Sequence, residues 1–179
     1  RQREGICSPV SAKEMLCTME DSFDYQVLNL TQQFYDDYPD PPFTEILRKN
    51  SRPYNCLLIQ SHYGYFICIP YRSHINHKQA FRFKKSVRSQ RARSGLDYSK
   101  IVIVVDAIYI GSHNAVIDKD EYNETRDNIE YIKADVQRYI DEYVDYVLGK
   151  QLRYDSREVA RIYQYSTLKY FHKELGIKD

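Results

Sequence analysis

The chain has 179 residues, 42% of them hydrophobic and 28% charged, which is enough to bury a core without metal or disulfide staples and too apolar for disorder along its whole length. No apolar run reaches the roughly 18 residues that a membrane helix needs, and no charged-then-apolar leader is read at the start; the cysteines, which form no CxxC pair, read as reduced, so a cytoplasmic protein is expected. The net charge of +1 hides a segregation: residues 71–100 hold nine Lys or Arg against one acid, and residues 118–146 hold ten acids against four bases.

Residues 1–22 show no clear period and read as an N-terminal extension before a single domain over 23–179. Residues 23–30 alternate apolar and polar side chains and predict a strand. The segment DDYPDPP at 36–42 is a turn-rich break, after which Thr44 is placed to cap a short helix through Lys49. Two apolar runs, 54–60 and 65–70, flank a short loop containing Gly64 and predict a β-hairpin. Residues 80–83 predict a short aromatic strand. Residues 84–94 lack an apolar period and read as a basic loop. The β-branched run 101–105 predicts a central buried strand. From Ile129 to Val147, apolar residues recur at three- and four-residue spacing, which predicts one long helix over 120–148 with Gly149 as its stop. A second helix is expected over 156–175, ended by Gly176. Strands first and helices later give an α+β fold with an antiparallel, barrel-like sheet. Cys56 and Cys68 fall inside apolar runs, and no CxxC pair exists among the four cysteines; they read as reduced core residues.

Familiar enzyme motifs are absent: Gly64, Gly95 and Gly111 build neither a GxGxxG nor a P-loop. The acids of 118–146 sit at solvent-face spacing, which favours a solvated face over a metal site. The informative segment follows the hairpin, where Arg72, Ser73, His74, His77 and Lys78 leave the strand together. RNA cleavage by transesterification needs a proton taken from the 2′-hydroxyl, a stabilised phosphorane and a proton given to the leaving 5′-oxygen. Histidine moves protons near neutral pH, Arg and Lys stabilise the phosphorane without metal or other cofactor, and serine bonds a phosphate oxygen or orients the 2′-hydroxyl. The same residues also read as an ordinary polar loop. Arg52, just before the hairpin, adds a candidate phosphate contact.

The basic stretch supplies Arg82, Lys84, Lys85, Arg88, Arg91 and Arg93, with Lys100 beyond it. Such clusters bind a phosphate backbone, and Tyr54, Tyr71 and Tyr98 flank it as candidate stacking platforms for unpaired bases. Tyr139, Tyr143 and Tyr163 fall on helix core faces and are expected to pack. Two rival readings stand beside a metal-free nuclease. One is a non-catalytic RNA-binding module. The other is a metal-dependent nuclease using Asp97 and Asp106, since Asp106 closes a buried strand.

Arg52-Pro53-Tyr54, followed by a hairpin ending in Ile69-Pro70-Tyr71-Arg72-Ser73, resembles the ToxN/AbiQ family of endoribonuclease toxins from type III toxin–antitoxin systems. The run from Ser94 through Gly95, Leu96, Asp97, Tyr98, Ser99 and Lys100 to Val102 looks most like the CptN branch. The resemblance covers about residues 23–147. It implies a strongly twisted antiparallel sheet with flanking helices, similar to the Kid/MazF toxins, and metal-independent cleavage leaving a 2′,3′-cyclic phosphate and a 5′-hydroxyl. It also implies an RNA antitoxin of pseudoknotted repeats, which the toxin processes and which then inhibits it in a closed toxin–RNA ring, with cellular mRNA as the other substrate. The family's catalytic serine lands on Ser73 and a family basic residue on Arg52. The residue before the serine, often Thr, is Arg72 here. The family lysine two residues after the serine is Ile75, so His74, His77 and Lys78 are the local substitutes for proton transfer. His77 and Lys78 are favoured, and spacing does not choose between them.

Overall fold

The computed structural model describes residues 25–49 and 54–178. The N-terminal extension, Cys7, Cys17 and Arg52 lie outside the described residues. Strand β1 (Tyr25–Leu30) pairs antiparallel with β2 (Asn55–Gln60), from Tyr25↔Ile59 to Asn29↔Asn55. The hairpin forms as the apolar runs require: β2 pairs with β3 (Phe66–Arg72), from Cys56↔Pro70 to Gln60↔Phe66. All but the last residue of β3 is buried, the mark of a strand covered on both faces.

Strand β3 organises the sheet because it uses both long edges. Opposite β2, its first half pairs with β6 (Val102–Val104), ending at Cys68↔Val102. Its last two residues pair with β5 (Gly95–Asp97) as Tyr71↔Leu96 and Arg72↔Gly95. Pro70, which has no N–H to give a ladder, falls in the gap between these registers. Strand β4 (Ala80–Arg82) pairs with β5. Strand β7 (Ile110–Asn114), not expected from the sequence, pairs with β1. The order is β4-β5-β3-β2-β1-β7 with β6 beside β3. The architecture is thus α+β on a seven-stranded antiparallel sheet that is not closed, where a barrel-like sheet was expected.

Several expected elements change, each for a local reason. Helix α1 (Gln32–Asp37) forms directly after β1 and buries Phe34. The helix expected at 44–49 is a turn: Ile46 N–H donates to Phe43 O and the Ile46 side chain is buried. The basic loop contains α2 (Val87–Ala92), capped by Ser86, whose Oγ accepts from Ser89 N–H at 2.8 Å. That capping serine was its sequence signal. The long helix is two: α3 (Lys119–Asp127) and α4 (Ile129–Val147), broken at Asn128, whose side-chain amide donates to Glu124 O at 2.7 Å. The last helix is shorter than expected. Helix α5 (Ser156–Tyr163) stops, and Ser166 caps a separate 3₁₀ turn at Thr167–Tyr170.

Helix α4 buries Ile132, Val136, Tyr139, Ile140 and Tyr143, its aliphatic members contributing about 1.5–3 kcal/mol each. Tyr139 and Tyr143 pack against Tyr163 at ring distances of 5.0 and 5.2 Å, as helix-face spacing required. Cys56 and Cys68 are free and buried, and burial pushes the Cys56 thiol up to about 12. No described helix is long and apolar enough to cross a membrane.

Gly95 lets β4 lie against β5. A Cβ there would meet Phe81 O at 2.3 Å and Arg82 Cα at 3.2 Å. Gly95→Ala is expected to lower stability by about 1–3 kcal/mol, read from the urea midpoint. An unchanged midpoint would contradict this close approach.

Candidate active site

The site is built around a carboxylate at the end of β5. Asp97 is fully buried, and a buried charge persists only when paired and hydrogen-bonded. Its Oδ2 accepts from Arg72 Nη1 at 2.7 Å. Its Oδ1 accepts from Ser99 N–H at 3.0 Å and Ser99 Oγ at 2.7 Å, and lies 3.2 Å from His77 Nε2. Burial alone would raise the Asp97 pKa, but hydrogen bonds from His77, Ser99 and Arg72 outweigh it and hold the carboxyl below its usual range. Two pieces of local structure bring the partners in. The β3–β5 pairing sets Arg72 across from Gly95. The Asp97-x-Ser99 turn folds the serine back onto its own carboxylate.

Between Arg72 and His77 the chain makes a sharp reversal. His74 takes a left-handed backbone, φ 60°, which costs a non-glycine residue about 1–2 kcal/mol. Burial of Ile75, fully enclosed, offsets that cost, and His74 N–H and Ile75 N–H donate to Ala92 O at 2.6 Å and Arg93 O at 3.3 Å. The position where the resembled family carries a lysine is therefore a core position here. Ser73 is half-buried, and His74 and Lys78 are exposed.

His77, expected to transfer a proton, sits against the Asp97 cluster with its side chain 34% exposed. Its Nε2 faces Asp97 Oδ1 and lies 3.3 Å from Ser99 Oγ. Its Nδ1 is buried and has no partner among the described residues. Nε2 is thus engaged by the Asp97 cluster, and Nδ1 is closed off from solvent. Of the histidines in this loop, His74 is the exposed one.

The basic stretch is fastened from behind by two buried acids of α3. Glu121 accepts from Ser86 Oγ at 3.0 Å, from Ser94 Oγ, and from Arg88 Nε and Nη2 at 3.0 and 2.7 Å. Glu124 accepts from the backbone N–H groups of Lys84 and Lys85 at 2.9–3.1 Å. These acids are structural partners of the basic segment, where a solvated face was expected. Their pairing leaves the side chains of Lys84, Lys85 and Arg91 exposed. Arg82 Nη2 donates to His77 O at 2.6 Å and Arg93 Nη1 to Asn76 Oδ1 at 2.9 Å, tying the basic segment to the catalytic-candidate loop.

Two of the expected stacking platforms do not reach the surface. Tyr71 is buried, bonded to Thr125 Oγ1 at 3.0 Å and stacked on Phe83. Tyr98 is also buried, 6.2 Å from the Tyr139 ring. Neither offers a face to a base. Lys100 is enclosed by Glu45 and Tyr165 O, and Arg88 spends two N–H groups on Glu121. Tyr54 is half-buried with Lys49 Nζ 4.1 Å over its ring. The two acids of the metal-dependent reading are not gathered. Asp97 is occupied by Arg72, Ser99 and His77, and exposed Asp106 caps the 3₁₀ turn at Ala107–Tyr109. No cluster of three or more His, Cys, Asp or Glu able to hold a metal occurs among the described residues.

Asp97→Asn removes the charge that Arg72 and His77 face, and is expected to cost about 3 kcal/mol. The native state binds Asp97's proton less readily than the unfolded chain does. The stabilisation is therefore present above the ordinary carboxylate pKa and lost as pH falls through the lowered one. Urea unfolding from pH 3 to pH 7 should show the difference between native and Asp97→Asn shrinking towards the acid end. A difference that is constant with pH would contradict the ionised pairing.

Compared with known proteins, the chain matches no family model, no curated protein and no solved structure, and the reading of this site rests on its own residues.

Proposed function

We propose that this protein is a metal-independent endoribonuclease, a toxin of the type III toxin–antitoxin kind. The observation that carries the reading is the end of β3. There Arg72 is held by Asp97, Ser73 and His74 follow it at the surface, and a basic segment is hydrogen-bonded to the same loop through Arg82 and Arg93. Ser73 orients the 2′-hydroxyl or a phosphate oxygen. Arg72, its guanidinium fixed at one nitrogen and its side chain one-third exposed, stabilises the phosphorane together with Lys78. His74, exposed and carrying an imidazole, moves the proton. Lys84, Lys85 and Arg91 hold the phosphate backbone.

On the family resemblance, the partner is an RNA antitoxin of pseudoknot repeats that the toxin processes and that blocks its site in a closed ring. Cellular mRNA in the cytoplasm is the other substrate. Arg52 belongs to this reading through the resemblance alone. The engagement of His77 Nε2 by Asp97 and Ser99, with Nδ1 buried, favours a second reading, a non-catalytic RNA-binding module, because one candidate proton carrier is already occupied.

The test is incubation of the full chain with mixed-sequence RNA in EDTA, followed by analysis of fragment ends. Discrete fragments with 2′,3′-cyclic phosphate and 5′-hydroxyl ends, absent with Ser73→Ala, are expected. Salt-sensitive binding without cleavage would select the binding module, and cleavage abolished by EDTA would select a metal-dependent nuclease.

A further inference from the structure

Beside the loop of Ser73 to Lys78 lies a cleft of about 770 Å³ between β4 and the α3–α4 corner. That volume is in the range of small-molecule sites, about 300–1,000 Å³. Lys78, Arg82, Lys84 and Lys85 bring four cations to its lining, and Phe81 and Tyr131 bring two rings. Tyr131 is the most exposed tyrosine of α4: Tyr139 and Tyr143 are buried and Tyr146 is 37% exposed and stacked on Tyr163, whereas Tyr131 is 59% exposed. Phe81 lies 6.2 Å from it at 55° and supports one side of the ring, so packing does not account for the exposed remainder.

The acid in the cleft does not oppose an anion as an open carboxylate would. Glu124 is 5% exposed, and its oxygens accept three hydrogen bonds from the backbone of Lys84 and Lys85. Those bonds turn a negative group into the anchor of two exposed lysines. The hydrogen bond from Arg82 to His77 O joins this wall directly to the Asp97 cluster. An exposed aromatic face among several cations, in a concave site, suits a base that is not already stacked in a helix, with its phosphates on the lysines.

We propose that this cleft is a subsite for one unpaired nucleotide of an RNA strand. The base lies on Tyr131 and the flanking phosphates meet Lys78, Lys84 and Lys85. The inference rests on the reading of this face as an RNA site. It adds a residue, Tyr131, that distinguishes unpaired from paired RNA without reading a sequence, since every base has a π-face.

The test is fluorescence anisotropy of the full chain with three labelled RNAs of equal charge: a short unstructured strand, the same strand made abasic, and a blunt duplex. Tyr131→Ala is expected to weaken the unstructured strand about tenfold while leaving the other two near their native affinities. Tyr131→Phe should keep the native value, because the ring and not the hydroxyl is used. The thermal midpoint of Tyr131→Ala should match the native one, as the side chain is exposed. Native affinity of Tyr131→Ala for the unstructured strand, with binding lost in a Lys84→Ala/Lys85→Ala variant, would overturn the base subsite and leave the RNA reading standing. Equal weakening of all three RNAs by Tyr131→Ala would also overturn it. No RNA binding by the native chain would overturn both.

Discussion

A fully buried carboxylate cannot stay ionised alone, and the arrangement around Asp97 answers that constraint. Four donors from three parts of the chain converge on its two oxygens: the Arg72 guanidinium, the Ser99 amide and hydroxyl, and the His77 ring. Each brings a segment with it. Arg72 fixes the end of β3, Ser99 fixes the turn before β6, and His77 fixes the loop that carries Ser73 and His74. Removing the charge would leave Arg72 and His77 facing a dipole, so stability and the geometry of the proposed site depend on the same group.

The same device recurs on α3. Glu121 and Glu124 are buried and hold the basic segment by its serines, its backbone and Arg88. Charge that is separated along the sequence is thus joined in space. The acids neutralise part of the basic segment from within and direct the remaining lysines outward. Under the proposed reading, the protein presents cations to RNA without the self-repulsion that nine unpaired bases in thirty residues would produce.

Much of the sheet was legible because its signals are local. The runs 54–60 and 65–70 announced the central hairpin, and 101–105 announced β6. The failures share a cause. Helix α2 has no apolar stripe and rests on the Ser86 cap and on Glu121, which lies 35 residues later. The break at Asn128 comes with a side-chain bond that competes with the helix, and apolar periodicity does not register it. At the site, the residue types leaving β3 were visible, but their roles were not. Ile75, Tyr71 and Tyr98 look alike as neighbours of basic residues, and only the folded chain shows that they are buried. Asp97 reads from sequence as a metal-ligand candidate, and its Asp-x-Ser turn is the signal that its oxygens are already taken.

Two histidines three residues apart differ in their surroundings, His74 exposed and His77 against Asp97, and single-turnover cleavage of one RNA by His74→Ala and His77→Ala tests their roles most directly, with affinity and thermal midpoint measured for each. His74→Ala should slow cleavage by about 10²–10⁴-fold at native affinity and native midpoint. His77→Ala should lower the midpoint, and its cleavage rate should fall less than that of His74→Ala. Native cleavage by His74→Ala, with cleavage abolished in a fully folded His77→Ala protein, would contradict the assignment.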